Sequence, residues 1–380
     1  MMEALTNMTT VTEFLLVGFP DDQVLQSVCV TLFFLVYLVA LMGNLLIIAL
    51  TSIDQRLQSP MYFFLKNLSL IDICYISVTV PKFIMNSLSN THSISFWGCV
   101  SQVFLVIFLA GTEFALLLVM SYDRYAAICH PLHYEVIMNR GTCMQMLTAA
   151  WLSGCLYGSL HTAGTFSVHF CGPNIVHQFF CDIPSLLTLS CPGEQILEYI
   201  FIIVSCCFAF ICFVLMIVSY IHIFAIILRI PSAQGRLKTF STCMPHLTVV
   251  SLFLSSGFIS YLGSTSPSSS SLNLFISVFY SLLPPSLNPV IYSLRNRDMK
   301  VALGNILGGK MNGESLQVVL GLAESLGGRA IRLPAGPVGD VPWTPGWGCP
   351  RDWVEGVRVP LTGRFSLIGS PSGQTVGPAV

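Results

Sequence analysis

Seven long apolar segments constrain the fold of this chain more than any other feature of its sequence. They are Ser27–Leu50, Pro60–Leu88, Cys99–Ile128, Cys143–Ala163, Ile196–Leu228, Lys238–Leu262 and Leu272–Leu294. A helix of roughly 20 apolar residues crosses the hydrocarbon core of a bilayer. Barrel strands would instead show about ten alternating residues each, and the sequence has no such alternation. The pattern predicts an all-α membrane protein, a seven-transmembrane helix bundle.

The composition agrees with a chain that lies mostly in lipid. Hydrophobic residues make up 54% of it and charged residues 9%, with a mean hydropathy of +0.75. Soluble domains usually carry about 25% charged residues, so membrane lipid is the expected surrounding. The net charge of −1 argues against nucleic acid as a partner. The amino-terminal segment lacks the features of a cleaved signal peptide, so the first apolar segment is expected to act as the insertion signal.

Basic residues predict the orientation, because Lys and Arg collect on the cytoplasmic side of a membrane. With the amino terminus outside, ten of the eleven Lys and Arg before residue 301 fall at cytoplasmic ends, and only Lys82 falls outside. The acids Glu194 and Glu198 then lie on the outer face. Asn7 begins a glycosylation acceptor, which suits an external amino terminus. We expect a multi-pass protein of the plasma membrane with a cytoplasmic carboxyl terminus.

Four regions are predicted along the chain. Residues 1–26 form an extracellular amino terminus, and residues 27–294 form the seven-helix domain. Residues 295–310 form a short amphipathic eighth helix on the cytoplasmic side. The last 70 residues, 311–380, contain 13 Gly and 8 Pro without a period. Such a composition is typical of a disordered tail.

Two acidic side chains, Asp72 and Glu113, lie midway along the second and third apolar segments. Ionisable groups at membrane depth are costly, so each requires a compensating environment. One interpretation is structural, with each acid protonated or hydrogen-bonded to a neighbouring helix. The other is a paired site in which the carboxylates share a proton or hold a Na⁺ ion, with Asn44 and Asn288 nearby. Apart from this candidate ion, the sequence suggests no cofactor.

The cytoplasmic end of the third segment carries the most distinctive motif. The residues from Met120 to Tyr134 read MSYDRYAAICHPLHY. Adjacent Asp and Arg at a helix end could serve as interfacial anchors, but the whole run resembles the signature of odorant receptors of the rhodopsin-like G-protein-coupled receptor class. Five further motifs agree in order along residues 10–308. They are Gly43-Asn44, LQSPMYFFL beginning at Leu57, Ser219-Tyr220, KTFSTC beginning at Lys238, and PSLNPVIYSLRN beginning at Pro285.

The resemblance implies roles for a set of residues near the cytoplasmic side. In this class the Asp123 position holds Arg124 until the sixth helix moves outward and a G protein inserts its terminal helix. Arg suits this role because it stays charged and makes forked hydrogen bonds. Pro289 lacks a backbone N–H, which weakens the seventh helix and allows it to bend. The set implied for G-protein coupling and activation is Asp123, Arg124, Tyr125, Tyr220, Asn288, Pro289 and Tyr292.

Four cysteines lie on the predicted outer side, at Cys99, Cys171, Cys181 and Cys191. Four cysteines on an oxidising side allow three disulfide pairings. A zinc cluster that includes His169 and His177 is an alternative, although the cysteine spacings are much longer than those of usual zinc ligands. The resemblance implies the pairs Cys99–Cys181 and Cys171–Cys191.

We expect a ligand pocket between the outer halves of the third, fifth and sixth helices. Its candidate lining residues are mostly apolar, as is usual for small-molecule pockets. They are Val106, Ile107, Ala110, Gly111, Val204, Ser205, Phe208, Leu254, Gly257, Phe258 and Tyr261. The outer part of the third helix has no Asp or Glu to pair with an amine. A small, neutral, hydrophobic volatile is therefore the expected ligand.

The function implied by the resemblance is that of an odorant receptor, which binds a small volatile odorant. It would activate a heterotrimeric G protein of the olfactory stimulatory type and raise cyclic AMP. No metalloprotease or hydrolase motif is present, and we expect no enzyme activity. The alternative is an ion-coupled transporter or channel that uses Asp72 and Glu113. This alternative lacks the internal repeats of transporters and leaves the Asp123-Arg124 motif unexplained.

Overall fold

The computed structural model of the chain describes residues 11–17, 23–54, 57–89, 91–265, 270–295 and 297–308. Ten α-helices lie within these residues, seven of them long. In chain order they are α1 (Gln23–Ile53), α2 (Pro60–Ser89), α3 (Phe96–Cys129), α4 (Tyr134–Ile137), α5 (Arg140–Phe166), α6 (Ile183–Leu187), α7 (Ile196–Arg229), α8 (Ala233–Thr265), α9 (Ser270–Arg295) and α10 (Arg297–Gly308). Each predicted apolar segment lies within one long helix, and the predicted fold class is confirmed.

The long helices differ in how apolar they are. Five have both the length and the composition to cross a membrane: α1, α2, α3, α7 and residues Leu274–Ser293 of α9. Helices α5 and α8 are as long but contain more polar residues. Two of these polar residues, His161 and His246, are buried between helices. Large apolar side chains such as Ile203 and Ile211 on α7 are instead exposed, as expected for a surface that faces lipid.

Helix α3 lies at the centre of the bundle and packs against α2, α5, α7 and α8. Its closest neighbour is α5, where Gly154 faces Phe108 and Thr112. A Cβ atom at Gly154 would lie 2.7 Å from the carbonyl oxygen of Phe108 and 2.8 Å from the backbone nitrogen of Thr112. A glycine is therefore required at this position. Small residues commonly allow such close backbone approach between membrane helices.

A small β-sheet, which the sequence did not predict, covers the end of the bundle where α3 begins, which is the predicted outer end. Strand β1 (Glu13–Leu16) lies between β2 (Ser93–Ser95), to which it is antiparallel, and β3 (Ile175–Val176), to which it is parallel. Phe14 on β1 is fully buried, in a cluster that also contains Cys99 and Cys181. The amino-terminal strand therefore ties the loop before α7 to the start of α3.

The predicted cytoplasmic side closes with α10, which packs against α9 and α1. Met299 and Ala302 are buried in the main core cluster, so α10 is the amphipathic helix expected from the sequence. Helix α8 runs without a break through Pro245 and α9 through Pro289. The glycosylation site predicted at Asn7 and the tail predicted at residues 311–380 lie outside the described residues.

Candidate functional site

A large apolar cavity of about 1170 Å³ lies between α3, α5, α7, α8 and α9. Small-molecule sites typically enclose about 300–1,000 Å³, so this cavity has ample room for a small ligand. Its walls are mainly aliphatic and aromatic, including Val106, Ile107, Phe114 and Phe253. The loop residues from Phe180 to Pro184 close its outer end, and Glu113 lies among its deeper lining residues.

Most of the lining residues predicted from the sequence contact this cavity. They are Val106, Ile107, Ala110, Gly111, Ser205, Phe208, Leu254 and Gly257. Val204 is not among the described lining residues, and it exposes 61% of its surface on the lipid-facing side of α7. The side chains of Phe258 and Tyr261 lie outside the described part of α8.

The loop that forms the lid is held in place at several points. The structure pairs Cys99 with Cys181 and Cys171 with Cys191, with Cα–Cα distances of 5.6 and 5.0 Å. These are the pairings that the resemblance implies, and they leave no thiols at these positions for zinc. Gln102 on α3 accepts a hydrogen bond from the backbone N–H of Cys181 at 2.8 Å. The lid therefore has a covalent and a polar attachment to α3.

Two acids of the same loop have different environments. Glu194 is exposed, and hydrogen bonds from the backbone and side chain of His169 lower its pKa. Asp182 is buried at the cavity, and burial raises its pKa to about 6 against the opposing effect of donors from Ser185 and Tyr280. The Tyr280 hydroxyl on α9 donates to Oδ2 of Asp182 at 3.5 Å. The cavity therefore has a carboxyl group at its outer end, which was not among the residues predicted to line it.

A buried polar network, which the sequence did not predict, lies beside the cavity. Nδ1 of His161 lies 2.6 Å from Oε1 of Glu198, and Nε2 lies 2.8 Å from the hydroxyl of Ser205. Glu198 was expected on the outer face, but it is fully buried between α5 and α7. Gly164 allows this placement, since a Cβ atom there would contact Oε2 of Glu198. The available signal was a single His inside an apolar helix, which does not reveal its partner.

The two acids at membrane depth meet at Asn288. Its Nδ2 donates to the two carboxylate oxygens of Asp72 at 3.2 and 3.1 Å and lies 3.4 Å from Oε1 of Glu113. Oδ1 of Asn288 is buried and has no hydrogen-bond partner among the described residues. Asn44, also expected near the acids, instead donates to the carbonyls of Ala40 and Pro285. Two carboxylates and an unpartnered amide oxygen are the hard ligands that suit Na⁺.

Near the carboxyl-terminal end of α3, which is the predicted cytoplasmic end, Asp123 holds its neighbour Arg124. Its Nη2 and Nε lie 2.6 and 3.1 Å from Oδ2 of Asp123. Tyr134 in α4 donates to the other carboxylate oxygen, Oδ1, at 2.7 Å. Both oxygens of Asp123 are therefore engaged, and this carboxylate is fully buried. The sequence motif includes Tyr134 but does not predict its contact with Asp123. That contact follows from the fold.

A second connection links three helices at the same end. The hydroxyl of Tyr220 on α7 lies 2.6 Å from Nδ1 of His246 on α8. Nε2 of His246 lies 3.0 Å from the carbonyl oxygen of Leu117 on α3. His246 therefore bridges α7 and α3, so α8 cannot move away from α3 without losing this contact.

The remaining residues of the predicted activation set surround these contacts. The ring of Tyr125 lies 6.2 Å from that of His222 on α7. Tyr292 is 1% exposed, and its hydroxyl has no partner among the described residues. Pro289 packs against α1, since a Cβ atom at Gly43 would lie 2.9 Å from Cβ of Pro289. The predicted activation set therefore lies on α3, α7 and α9.

Comparison with known proteins gives a consistent result. A family model described as olfactory receptor matches residues 33–310, from within α1 to beyond the end of α10. Olfactory receptor 14A16 of Homo sapiens is 55% identical over 307 residues, which cover 81% of this chain and 99% of that protein. Olfactory receptor 14L1 of Homo sapiens is 56% identical over 297 residues, covering 78% of this chain and 91% of that protein. Olfactory receptor 5I1 of Homo sapiens is 43% identical over 306 residues, covering 80% and 98%.

Proposed function

The chain belongs to the olfactory receptor family, and we propose that its cavity binds a small hydrophobic volatile and thereby activates a heterotrimeric G protein. It is an odorant receptor and a multi-pass membrane protein. The observation that carries the proposal is the apolar cavity beneath a cross-linked lid, in contact with α3, α7 and α8. A ligand there contacts the helices whose inner ends hold Arg124 and His246.

The proposed ligand is small and mainly apolar, because the lining offers large hydrophobic surfaces and few polar groups. The candidate binding residues are those that line the cavity on α3, α7 and α8, among them Ile107, Ser205 and Leu254. Burial of apolar ligand surface stabilises a complex by roughly 25 cal/mol per Å². Shape and hydrophobic contact therefore supply most of the affinity.

The proposed signal is an outward movement of α8 at its inner end. In the described arrangement, His246 on α8 contacts the carbonyl of Leu117 on α3, and Asp123 engages Arg124. Movement of α8 breaks the first contact and opens space beside Arg124. A G-protein helix that enters this space can then use the forked donors of the guanidinium group. We propose the olfactory stimulatory type, with cyclic AMP as the product of signalling.

We also propose that Na⁺ stabilises the inactive receptor. Asp72, Glu113 and Asn288 would hold the ion through carboxylate and amide oxygens. A cation there compensates two carboxylates that are 1% and 4% exposed. In the alternative, purely structural interpretation, Asn288 alone compensates the two acids. A Na⁺ titration distinguishes these two interpretations.

The orientation remains a proposal from the distribution of Lys and Arg, with the amino terminus outside the plasma membrane and the carboxyl terminus inside. Two features support it. The disulfides tie the loop before α7 to α3, which suits the oxidising side. Arg124 lies at the opposite end of α3 from Cys99. The transporter or channel alternative for Asp72 and Glu113 is not favoured by the family match.

The experiment is a cyclic AMP assay in cells that display an epitope-tagged receptor. A panel of small volatiles should contain at least one agonist that acts in a concentration-dependent manner. The response should disappear in cells that lack the stimulatory Gα subunit and return when that subunit is expressed again. An odorant response of equal size without the subunit would contradict the proposed coupling.

A further inference from the structure

Asp182 differs from the other residues at the outer end of the cavity. It follows the disulfide-bonded Cys181, lines the cavity and is 7% exposed. Among the described lining residues, the ionisable acids are Asp182 and Glu113, and no Lys or Arg is present. Glu113 already contacts Asn288, deep in the bundle. Asp182 is therefore the acidic group that a ligand meets beneath the lid.

The hydrogen-bonding capacity of this carboxylate is only partly used, although Ser185 and Tyr280 supply nearby donors. Oδ1 of Asp182 is buried without a hydrogen-bond partner among the described residues. Oδ2 receives the Tyr280 hydroxyl at 3.5 Å, the outer limit of a hydrogen bond. A carboxylate has about four acceptor sites, and a buried acceptor without a donor is unfavourable. The pKa of about 6 agrees, since the nearby donors do not offset the effect of burial.

A basic side chain does not compensate this group within the described residues. No ion pair there includes Asp182, and the ion pairs that are present lie elsewhere, at Arg124, His161 and His169. The connection between α8 and α9, residues 266–269, contains no Lys or Arg in its sequence. The missing donor must therefore come from a neutral group of the protein, from water or from a ligand.

We infer that Asp182 accepts a hydrogen bond from the ligand and makes the receptor selective for volatiles that carry an O–H or N–H donor. The chemical class is small alcohols, phenols and amines, in preference to ethers, esters and ketones of the same size. Their hydrocarbon part lies against the apolar wall of α3, at Val106 and Ile107. The inference rests on the proposed function, because it assumes that the cavity is the odorant site.

This inference changes the ligand class that the sequence suggested. The outer part of the third helix has no Asp or Glu, and amines were therefore not expected as ligands. The carboxylate comes from the loop instead, and the Cys99–Cys181 disulfide places it beside α3. A site that hydrogen-bonds a substrate O–H or N–H discriminates strongly against analogues without it, because the buried acceptor is then left unpaired.

The test compares straight-chain alkanols with their methyl ethers and with ketones of matched length. The receptor variants are wild type, Asp182→Asn and Glu194→Gln, a control in the same loop whose side chain is 40% exposed. Cyclic AMP and cell-surface display are measured for each. Asp182→Asn should raise the half-maximal concentration of an alkanol by about tenfold or more and change that of an ether by less than about twofold. The control should behave as wild type.

Three results would overturn the inference. The first is a wild type for which ethers or ketones are the better agonists. The second is an unchanged alkanol response in Asp182→Asn, and the third is an equal loss of response to both classes in that variant. If Asp182→Asn fails to reach the surface, Tyr280→Phe replaces it, since this variant removes a competing donor 3.5 Å from Oδ2. Alkanols should then become more potent relative to ethers, and an unchanged ratio would count against the inference.

A binding measurement separates this inference from the proposed function. Purified wild-type receptor is heated with an alkanol or its methyl ether, and the shift in melting temperature is recorded without any G protein. A larger shift with the alkanol, lost in Asp182→Asn, supports the inference even if no cyclic AMP response occurs. In that case the proposed G-protein coupling is wrong and the proposed ligand site is supported. Equal shifts for the alkanol and the ether would overturn the inference about Asp182 without contradicting the proposed function.

Discussion

Nδ1 of His161 on α5 lies 2.6 Å from Oε1 of Glu198 on α7, in an interface where the two residues are 2% and 0% exposed. The opposite ring nitrogen of His161 contacts the hydroxyl of Ser205, which lines the ligand cavity. This polar contact therefore joins α5 to α7 beside the ligand cavity.

Replacing Glu198 by Ala should destabilise the receptor by about 3–5 kcal/mol, as is usual when one partner of a buried pair is removed. The loss arises because His161 keeps its polar atoms in a site that water does not reach. Melting temperature in detergent and surface display measure the effect, with the exposed neighbour change Tyr199→Phe as the control. In a double-mutant cycle, the variant that carries both His161→Ala and Glu198→Ala should lose less free energy of unfolding than the two single variants lose in sum. Additive losses would show that the contact does not couple the helices.

Replacing Arg124 by Ala should abolish odorant-stimulated cyclic AMP while the receptor still reaches the cell surface. Arg124 is 13% exposed at the inner end of α3, and its forked donors are the proposed contact with the G protein. Arg140→Ala provides the matched control, because Arg140 is exposed at the start of α5 on the same side. It should signal as wild type. Full signalling by a normally displayed Arg124→Ala receptor would reject the assigned role.

Removing the Cys99–Cys181 disulfide should destabilise the receptor more than removing Cys171–Cys191. The two bonds close loops with sequence separations of 82 and 20 residues, and the entropy that a cross-link removes from the unfolded chain grows with loop length. Each bond is expected to contribute about 2–4 kcal/mol. Thermal unfolding of Cys181→Ser and Cys191→Ser measures the order, with the exposed free thiol variant Cys155→Ser as the neutral control. A larger effect of Cys191→Ser would contradict this order.

Raising Na⁺ at constant ionic strength should shift the agonist response to higher agonist concentration. If the ion binds the inactive arrangement at Asp72, Glu113 and Asn288 more tightly, agonist and ion must weaken each other by the same factor. A shift of about fivefold is at the lower end of usual coupling. The titration exchanges Na⁺ for a bulky organic cation, and Glu113→Gln should remove the dependence. An unchanged midpoint in the wild type would leave the acids with a structural role only.

The helices were predictable from the sequence because a bilayer permits few alternatives. A segment in lipid must satisfy its backbone groups internally, so a long apolar segment becomes a helix whatever its neighbours are. Helix α2 begins at the predicted Pro60, and α7 begins at the predicted Ile196. The contact between Asp123 and Arg124 was predictable for a local reason, because the two residues are adjacent in the sequence. Asp72 and Glu113 could be predicted as a pair because an acidic side chain is costly at membrane depth and requires a compensating partner.

Only the tertiary structure decided which polar groups from distant segments meet. His161 and Glu198 are 37 positions apart, and their contact depends on the rotation of two helices about their own axes. That rotation is determined by packing against α3 and by small residues such as Gly164, which no local pattern reveals. Asp182 is placed in the same way, since its entry into the cavity requires a disulfide to Cys99, 82 residues away from Cys181. Apolar segments therefore determined the helices, whereas the packing of their faces determined which side chains a ligand meets.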